Sequence, residues 1–310
     1  MFPGTIEQTS DGSNDRRLSD ACPKAGRRYI NAGWLGSGTN DKYTPFRTGR
    51  RKLDPGEISY IQIFRFCVTG ALAVALSVNI SAQQALTDAR AAFYNASFET
   101  ASALTLDLCA ADDLDACELR TAALLMEIKR AIGDPKDKDK AFKACATCQA
   151  LLDAFLRDTA RGQAAARARL KANPSDEAAQ FLLGKLDLNY VWLQLGTLGR
   201  RTGWDEYWEA RRTLDAILKH NPQNVRAKVA RAWIDYIVDT RMPRGTRWVL
   251  GGGNKKRAIA ALREAAAADT DVYTSAEARF GLWDVLVREK NFPEAIALAR
   301  ELAKDFPANT

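Results

Sequence analysis

From residue 84 onward, apolar positions recur every three or four residues, broken at intervals by short polar stretches. That period lays one apolar stripe along a helix, so the pattern predicts a succession of amphipathic helices. Residues 84 to 108 (QALTDARAAFYNASFETASALTLDL) read as two helices with a turn at Asn95-Ala96-Ser97-Phe98. Residues 113 to 132 and 138 to 158 read as two more. Gly133-Asp134-Pro135-Lys136-Asp137 links them, because glycine and proline both favour the end of a helix. Residues 1 to 57 differ: they are rich in Gly, Ser, Thr, Asn, Asp, Arg and Pro, lack a sustained apolar period and are expected to be disordered.

An apolar stretch, Ile58 to Ile80, separates the two regions. Arg65 interrupts it, and the clean run Cys67 to Ile80 is 14 residues long. That is short for a membrane span and suits the apolar region of a secretory signal. Arg47, Arg50, Arg51, Lys52 and Arg65 supply positive charge ahead of it, and cleavage is expected after Ala82. The segment lies far from Met1. Either residues 1 to 57 are an extension from a start codon placed too far upstream, or 58 to 82 is an uncleaved signal anchor with a basic inner tail. The expected organisation is 1–57 as this extension, 58–82 as signal or anchor, 83–159 as a four-cysteine helical region, and 160–310 as repeats.

The repeat shows in three similar helix ends: LKANPSD (Leu170 to Asp176), LKHNPQN (Leu218 to Asn224) and AKDFPAN (Ala303 to Asn309). Each runs into a proline, which cannot continue a helix. Pro174 and Pro222 are 48 residues apart; another 48 reach Thr270, and Pro307 follows 37 later. Ala210, Ala258 and Ala295 each lie 12 residues before Pro222, Thr270 and Pro307. Apolar positions follow each alanine at helical spacing.

These residues resemble the tetratricopeptide repeat, in which a small alanine opens the second helix and the unit closes on proline with Asn or Asp. The last unit is the nearest, with Leu282, Ala295, Ala299 and Pro307 in family-like positions and Lys290-Asn291-Phe292 as its turn; Trp283 replaces the family's glycine. In the longer units Leu183-Gly184 and Arg231-Ala232 occupy the first-helix pair. The resemblance covers about 150 residues and implies an all-α array of tandem antiparallel helix hairpins, a TPR-like α-solenoid that binds a partner. The 48-residue units depart from the family's period by 14 residues, placed in GTLGRRTGWDEY (196–207) and MPRGTRWVLGGGN (242–254). Such elongated units, with the turn Gly252-Gly253-Asn254-Lys255-Lys256-Arg257-Ala258, also carry a fainter likeness to the exported bacterial T-component of TRAP-type transporters.

Charge excludes little here except a nucleic-acid role. The net +7 divides into 11 Lys/Arg against 7 Asp/Glu in residues 1 to 82, and 34 against 31 thereafter, so the helical part is near balance. A nucleic-acid binder shows a concentrated basic face, and none is expected. The chain has a single histidine, His220, at a helix end where a cation suits the dipole. That speaks against triad or histidine-metal chemistry, so neither an enzyme nor a cofactor is expected.

Removal of the signal leaves four cysteines. An even count in an exported chain suggests two disulfides among Cys109, Cys117, Cys145 and Cys148, with three connectivities open. Cys109 and Cys117 flank a polar turn. Cys145 and Cys148 form a C-x-x-C that reads as lying inside the helix AFKACATCQALLDAFL. A four-cysteine zinc site and a redox pair are alternatives, although redox pairs favour a helix N-terminus.

Six of the seven tryptophans fall between residues 192 and 283. Trp233, Tyr236 and Ile237 share a helix face and read as core. Trp204, Trp208 and Trp248 lie in or beside the insertions with Arg200, Arg201, Arg241, Arg244 and Arg247, and this pairing of Trp with Arg marks a candidate binding rim. Gly251-Gly252-Gly253 lacks the phosphate-loop pattern and reads as a turn. The expected protein is a periplasmic or otherwise extracytoplasmic scaffold for a protein or peptide partner. The alternatives are a transporter-associated binder with a Trp-lined cavity for an apolar small molecule, and a C-x-x-C redox protein. Nucleic acid is not expected, and the membrane enters only through an uncleaved anchor.

Overall fold

The structure is a computed structural model and describes residues 81–309. The readings of residues 1–57 and of the apolar stretch to Ile80 lie outside them. The described residues are helical and contain no strand. No helix among them is long and apolar enough to cross a membrane.

Residues 81–94 form α1. There follow α2 (Phe98–Leu104), α3 (Leu106–Ala110), α4 (Leu114–Ile132), α5 (Lys138–Ala144) and α6 (Cys148–Ala172). Next come α7 (Glu177–Val191), a π-helical turn (Trp192–Thr197), α8 (Trp204–His220) and α9 (Val225–Arg241). After a 3-10 turn (Arg244–Thr246), α10 (Lys255–Ala266), α11 (Val272–Arg288) and α12 (Phe292–Asp305) complete the order.

The recurrent proline motif has one local geometry. In each copy a backbone N–H closes the last helical turn: Asn173 to Arg169 O at 2.8 Å, Asn221 to Ile217 O at 2.7 Å, Phe306 to Leu302 O at 2.8 Å. A second bond spans the proline, from Asp176 N to Asn173 O, Asn224 N to Asn221 O and Asn309 N to Phe306 O, each at 3.1 Å. In the first two copies the final Asp or Asn also caps the next helix, accepting from Ala179 N and Ala227 N at 2.9 Å. The motif is therefore a joint that ends one helix and starts another. The turns expected at Asn95–Phe98 and Lys290–Phe292 are present too. Ala96 (φ 60°) and Lys290 (φ 61°) each adopt the left-handed conformation that closes a helix.

Packing follows chain order. α4 packs on α6, α6 on α7, α7 on α8, α8 on α9, α9 on α10, α10 on α11 and α11 on α12; α4 also touches α7, and α9 touches α11. Ala210, Ala258 and Ala295 are all buried, one on each of α8, α10 and α12. Gly184 shows why such positions stay small: a Cβ there would meet Thr213 Oγ1 at 2.8 Å. α6 runs unbroken through residue 159, so one helix spans the boundary expected between residues 159 and 160.

The first described helix also meets the last two. The Tyr94 ring stacks on Tyr273 (6.0 Å) and Phe280 (5.8 Å) and meets Phe306 (5.4 Å). Tyr273 OH donates to Thr87 O, Ala308 N to Asn95 Oδ1, and Asn309 Nδ2 to Tyr94 O.

Inside this arrangement lies a buried ionic cluster drawn from four helices. Lys185 Nζ is 2.6 Å from Glu277 Oε1 and 3.6 Å from Glu118 Oε1. Arg226 approaches Glu277, Glu118 and Asp115 and covers the Phe181 ring at 4.3 Å. Burial works against the charge on Lys185, but Glu277 and Glu118 outweigh it and hold its pKa above the ordinary lysine value. Burial likewise disfavours the Glu277 carboxylate, and Lys185 and Arg226 reverse that to lower its pKa. Asp187 on α7 has no such cation. Its Oδ1 accepts from Gln163 Nε2 at 2.7 Å, while Oδ2 has no protein partner. Burial first, then repulsion from Glu209, pushes its pKa up to about 8.

Candidate binding surface

The second insertion, residues 242–254, is a long loop with a fixed base. Leu250 is buried among α7, α8 and α9. Beside it the Arg211 guanidinium turns outward from α8 and donates to three successive carbonyls. Its Nη1 reaches Leu250 O at 3.1 Å and Gly252 O at 3.4 Å, and its Nη2 reaches Gly251 O at 2.7 Å. Tyr207 OH adds a fourth bond, to Leu250 O at 2.8 Å. Two of the glycines are required by this seat. Gly251 has φ 76°, and a Cβ there would meet Arg211 Cζ at 2.8 Å. A Cβ on Gly253 would meet Asp235 O and Asp239 N, both at 2.6 Å.

Asp239 anchors the other side. One carboxylate oxygen pairs with Arg247, and the other accepts from Lys255 N at 2.8 Å. Asn254 caps α10 by accepting from Arg257 N at 2.9 Å. The glycine run thus serves as turn chemistry, and both of these helix-end donors are used internally.

On this anchored loop Trp248 is 77% exposed and Val249 beside it is 52% exposed. Arg241, the last residue of α9, and Arg244 are exposed as well. Arg247, expected at the rim, is half-buried, committed to Asp239 and to Met242 O, and acts as a strut for the loop.

The first insertion divides differently from the expectation. Trp204 to Tyr207 belong to the first turn of α8, entered through Gly203 at φ 96°. Trp204 is 44% exposed; Trp208 is half-buried and lies edge-on to Tyr207 at 5.2 Å. Trp208 therefore supports the core more than the rim. Because the second loop rests on Tyr207 and Arg211, the structure seats it on the same helical turns that carry Trp204 and Trp208. Arg201 is exposed. Arg200, also exposed, lies over the Phe142 ring at 5.5 Å, and Lys138 Nζ donates to Gly196 O at 2.6 Å. The first insertion thus leans on α5. Trp233 and Tyr236 pack in the α9–α11 core as expected. Arg211 and Asp239, which fix the loop, carry no local sequence signal beyond the glycines that let them approach.

The four cysteines stand as two pairs at disulfide distance: Cys109 with Cys117 (Cα–Cα 4.6 Å) and Cys145 with Cys148 (5.4 Å). No four-sulfur cluster forms among the described residues. The C-x-x-C does not lie inside a helix: α5 ends at Ala144 and α6 begins at Cys148, so the motif is the turn between them. His220 is the last residue of α8 and is exposed. Comparison of the chain with protein-family models, with curated proteins and with solved structures finds no match.

Proposed function

We propose that this chain is an exported, TPR-like array of helix hairpins that binds a protein or peptide partner through the loop carrying Trp248. The observation that carries the reading is an exposed tryptophan on a backbone that is already held in place. Arg211, Tyr207, Asp239 and Arg247 fix the loop before any partner arrives. A partner then gains the contact area of Trp248 without the cost of ordering its loop. Tryptophan and arginine are the residue types that most often dominate such contacts, and exposed Arg244 lies four residues before Trp248 in the loop. The repeated proline joint, the three buried alanines and the chain-order packing support the repeat reading. The cysteines at disulfide distance support an oxidising compartment.

The test is affinity capture with the full chain, followed by titration of the captured protein against the wild type and Trp248→Ala. Loss of about 2 kcal/mol, roughly thirtyfold in affinity, is expected of a central tryptophan. Unchanged affinity, with the thermal midpoint also unchanged, would overturn the assignment of this loop.

A further inference from the structure

The two cysteine pairs are chemically alike and physically different. Cys109 and Cys117 are both buried. In the second pair Cys148 is buried, but Cys145 is partly exposed, and its Sγ lies 3.7 Å from the Thr147 hydroxyl at the surface. Cys148 is also the first residue of α6, a helix of 25 residues. Its N-cap, Thr147, makes no side-chain capping bond, and no acidic residue stands in the first turn. The usual internal counter-charges to a helix N-terminus are therefore missing where the pair sits, and the positive end of α6 faces it. Exposed Lys143 is two residues before Cys145, and Arg200 lies over Phe142 one turn earlier. Asp153, the nearest acid along α6, is tied to Gln149 Nε2 at 2.8 Å. The pair thus has the N-terminus of α6 beside it, an open approach to one sulfur and a protected second sulfur.

We propose that Cys145 and Cys148 form a dithiol–disulfide exchange site that oxidises a pair of cysteine thiols in a protein or peptide, with Cys145 as the attacked sulfur and Cys148 as the resolving one. The proposal does not depend on the Trp248 loop. In the forward step a substrate thiolate attacks Cys145 Sγ. The Cys145–Cys148 bond breaks, and its electron pair goes to Cys148 Sγ, which takes up a proton. The second substrate thiolate attacks the substrate sulfur of the mixed disulfide, and Cys145 leaves as a thiolate. Two substrate thiols have become a disulfide, the chain has gained two electrons, and of the two protons released one rests on Cys148 and one passes to water. A helix terminus that stabilises the released thiolate favours this direction. Cys109–Cys117, which no attacking thiolate reaches, is the inert pair and serves as the internal control.

The first experiment uses the unmodified full chain. It is equilibrated in glutathione buffers of graded ratio, quenched by alkylation and read by peptide mass spectrometry. Cys145 and Cys148 are expected to become alkylated at ratios that leave Cys109 and Cys117 joined. In the reduced chain Cys145 should be alkylated at pH 7 faster than the buried Cys148, Cys109 and Cys117. The second experiment offers a disulfide-bonded synthetic peptide to Cys148→Ser and Cys145→Ser chains. A mixed disulfide should accumulate on Cys145 in the first and not on Cys148 in the second. Opening of both pairs at the same ratio, or equal adducts on the two variants, overturns the proposal.

Discussion

Replacing Asp187 by asparagine should stabilise the protein, and only above a definite pH. The carboxyl is fully buried, bonded through Oδ1 to Gln163 and unpaired at Oδ2. Its pKa of about 8 stands against an unfolded-state value near 3.9. At pH 4 the group is protonated in the folded chain and causes no loss. Between pH 4 and 8 the folded state holds a proton that the unfolded state releases, so stability falls as pH rises; above 8 the loss is complete. Four units at about 1.4 kcal/mol each set a ceiling of about 5.6 kcal/mol, and relaxation around the charge reduces the realised loss to about 2–4 kcal/mol. Asparagine keeps the oxygen that accepts from Gln163 and cannot ionise. Urea unfolding of the wild-type and Asp187→Asn full chains at pH 5, 7 and 9 reads the effect of Asp187 together with that of the neighbours its charge acts on, Glu209 first. The variant should be close to the wild type at pH 5 and more stable by about 2–4 kcal/mol at pH 9. A difference that does not change between these pH values would refute the reasoning.

Two further predictions rest on packing. Lys185→Met leaves Glu277 and Glu118 buried with Arg226 as the remaining cation and should cost about 3 kcal/mol in urea unfolding at pH 7; a neutral result would show that Arg226 suffices. Gly253→Ala forces a methyl against two backbone atoms and should cost about 1–3 kcal/mol. The same substitution should weaken partner binding by displacing the Trp248 loop, whereas Trp248→Ala should weaken binding with no loss of stability.

What the chain reveals locally and what it hides divides along physical lines. The proline joints were legible because a helix end, a proline and a capping Asn or Asp all act within seven residues. The buried alanines were legible from the apolar period. The C-x-x-C turn was not, because AFKACATCQALL has no glycine or proline and keeps a helical period through the break. The start of α8 was read as loop because Gly203, in a left-handed conformation, can begin a helix as readily as continue a loop. The Lys185–Glu277 pair joins residues 92 apart, and Arg211 reaches Gly251 across 40. Such partners meet only once the helices have stacked, so no local window contains them. For the candidate rim, exposure of Trp248 and Arg244 followed from their place in an insertion, and Arg241 is the last residue of α9 beside it, whereas the strut role of Arg247 depended on Asp239.

The contact of α1 with α11 and α12 bears on how the molecule comes apart. A linear stack of repeats sheds its outer members one at a time, because each leans on a single neighbour. Here Tyr94 sits between Tyr273, Phe280 and Phe306, so loosening either margin strips an aromatic cluster from the other. Hydrogen exchange should find α1 and α12 opening together, as one cooperative unit, and not as independently fraying edges. The same contact constrains the number of helices between them: a pair of helices gained or lost would carry α11 and α12 away from α1.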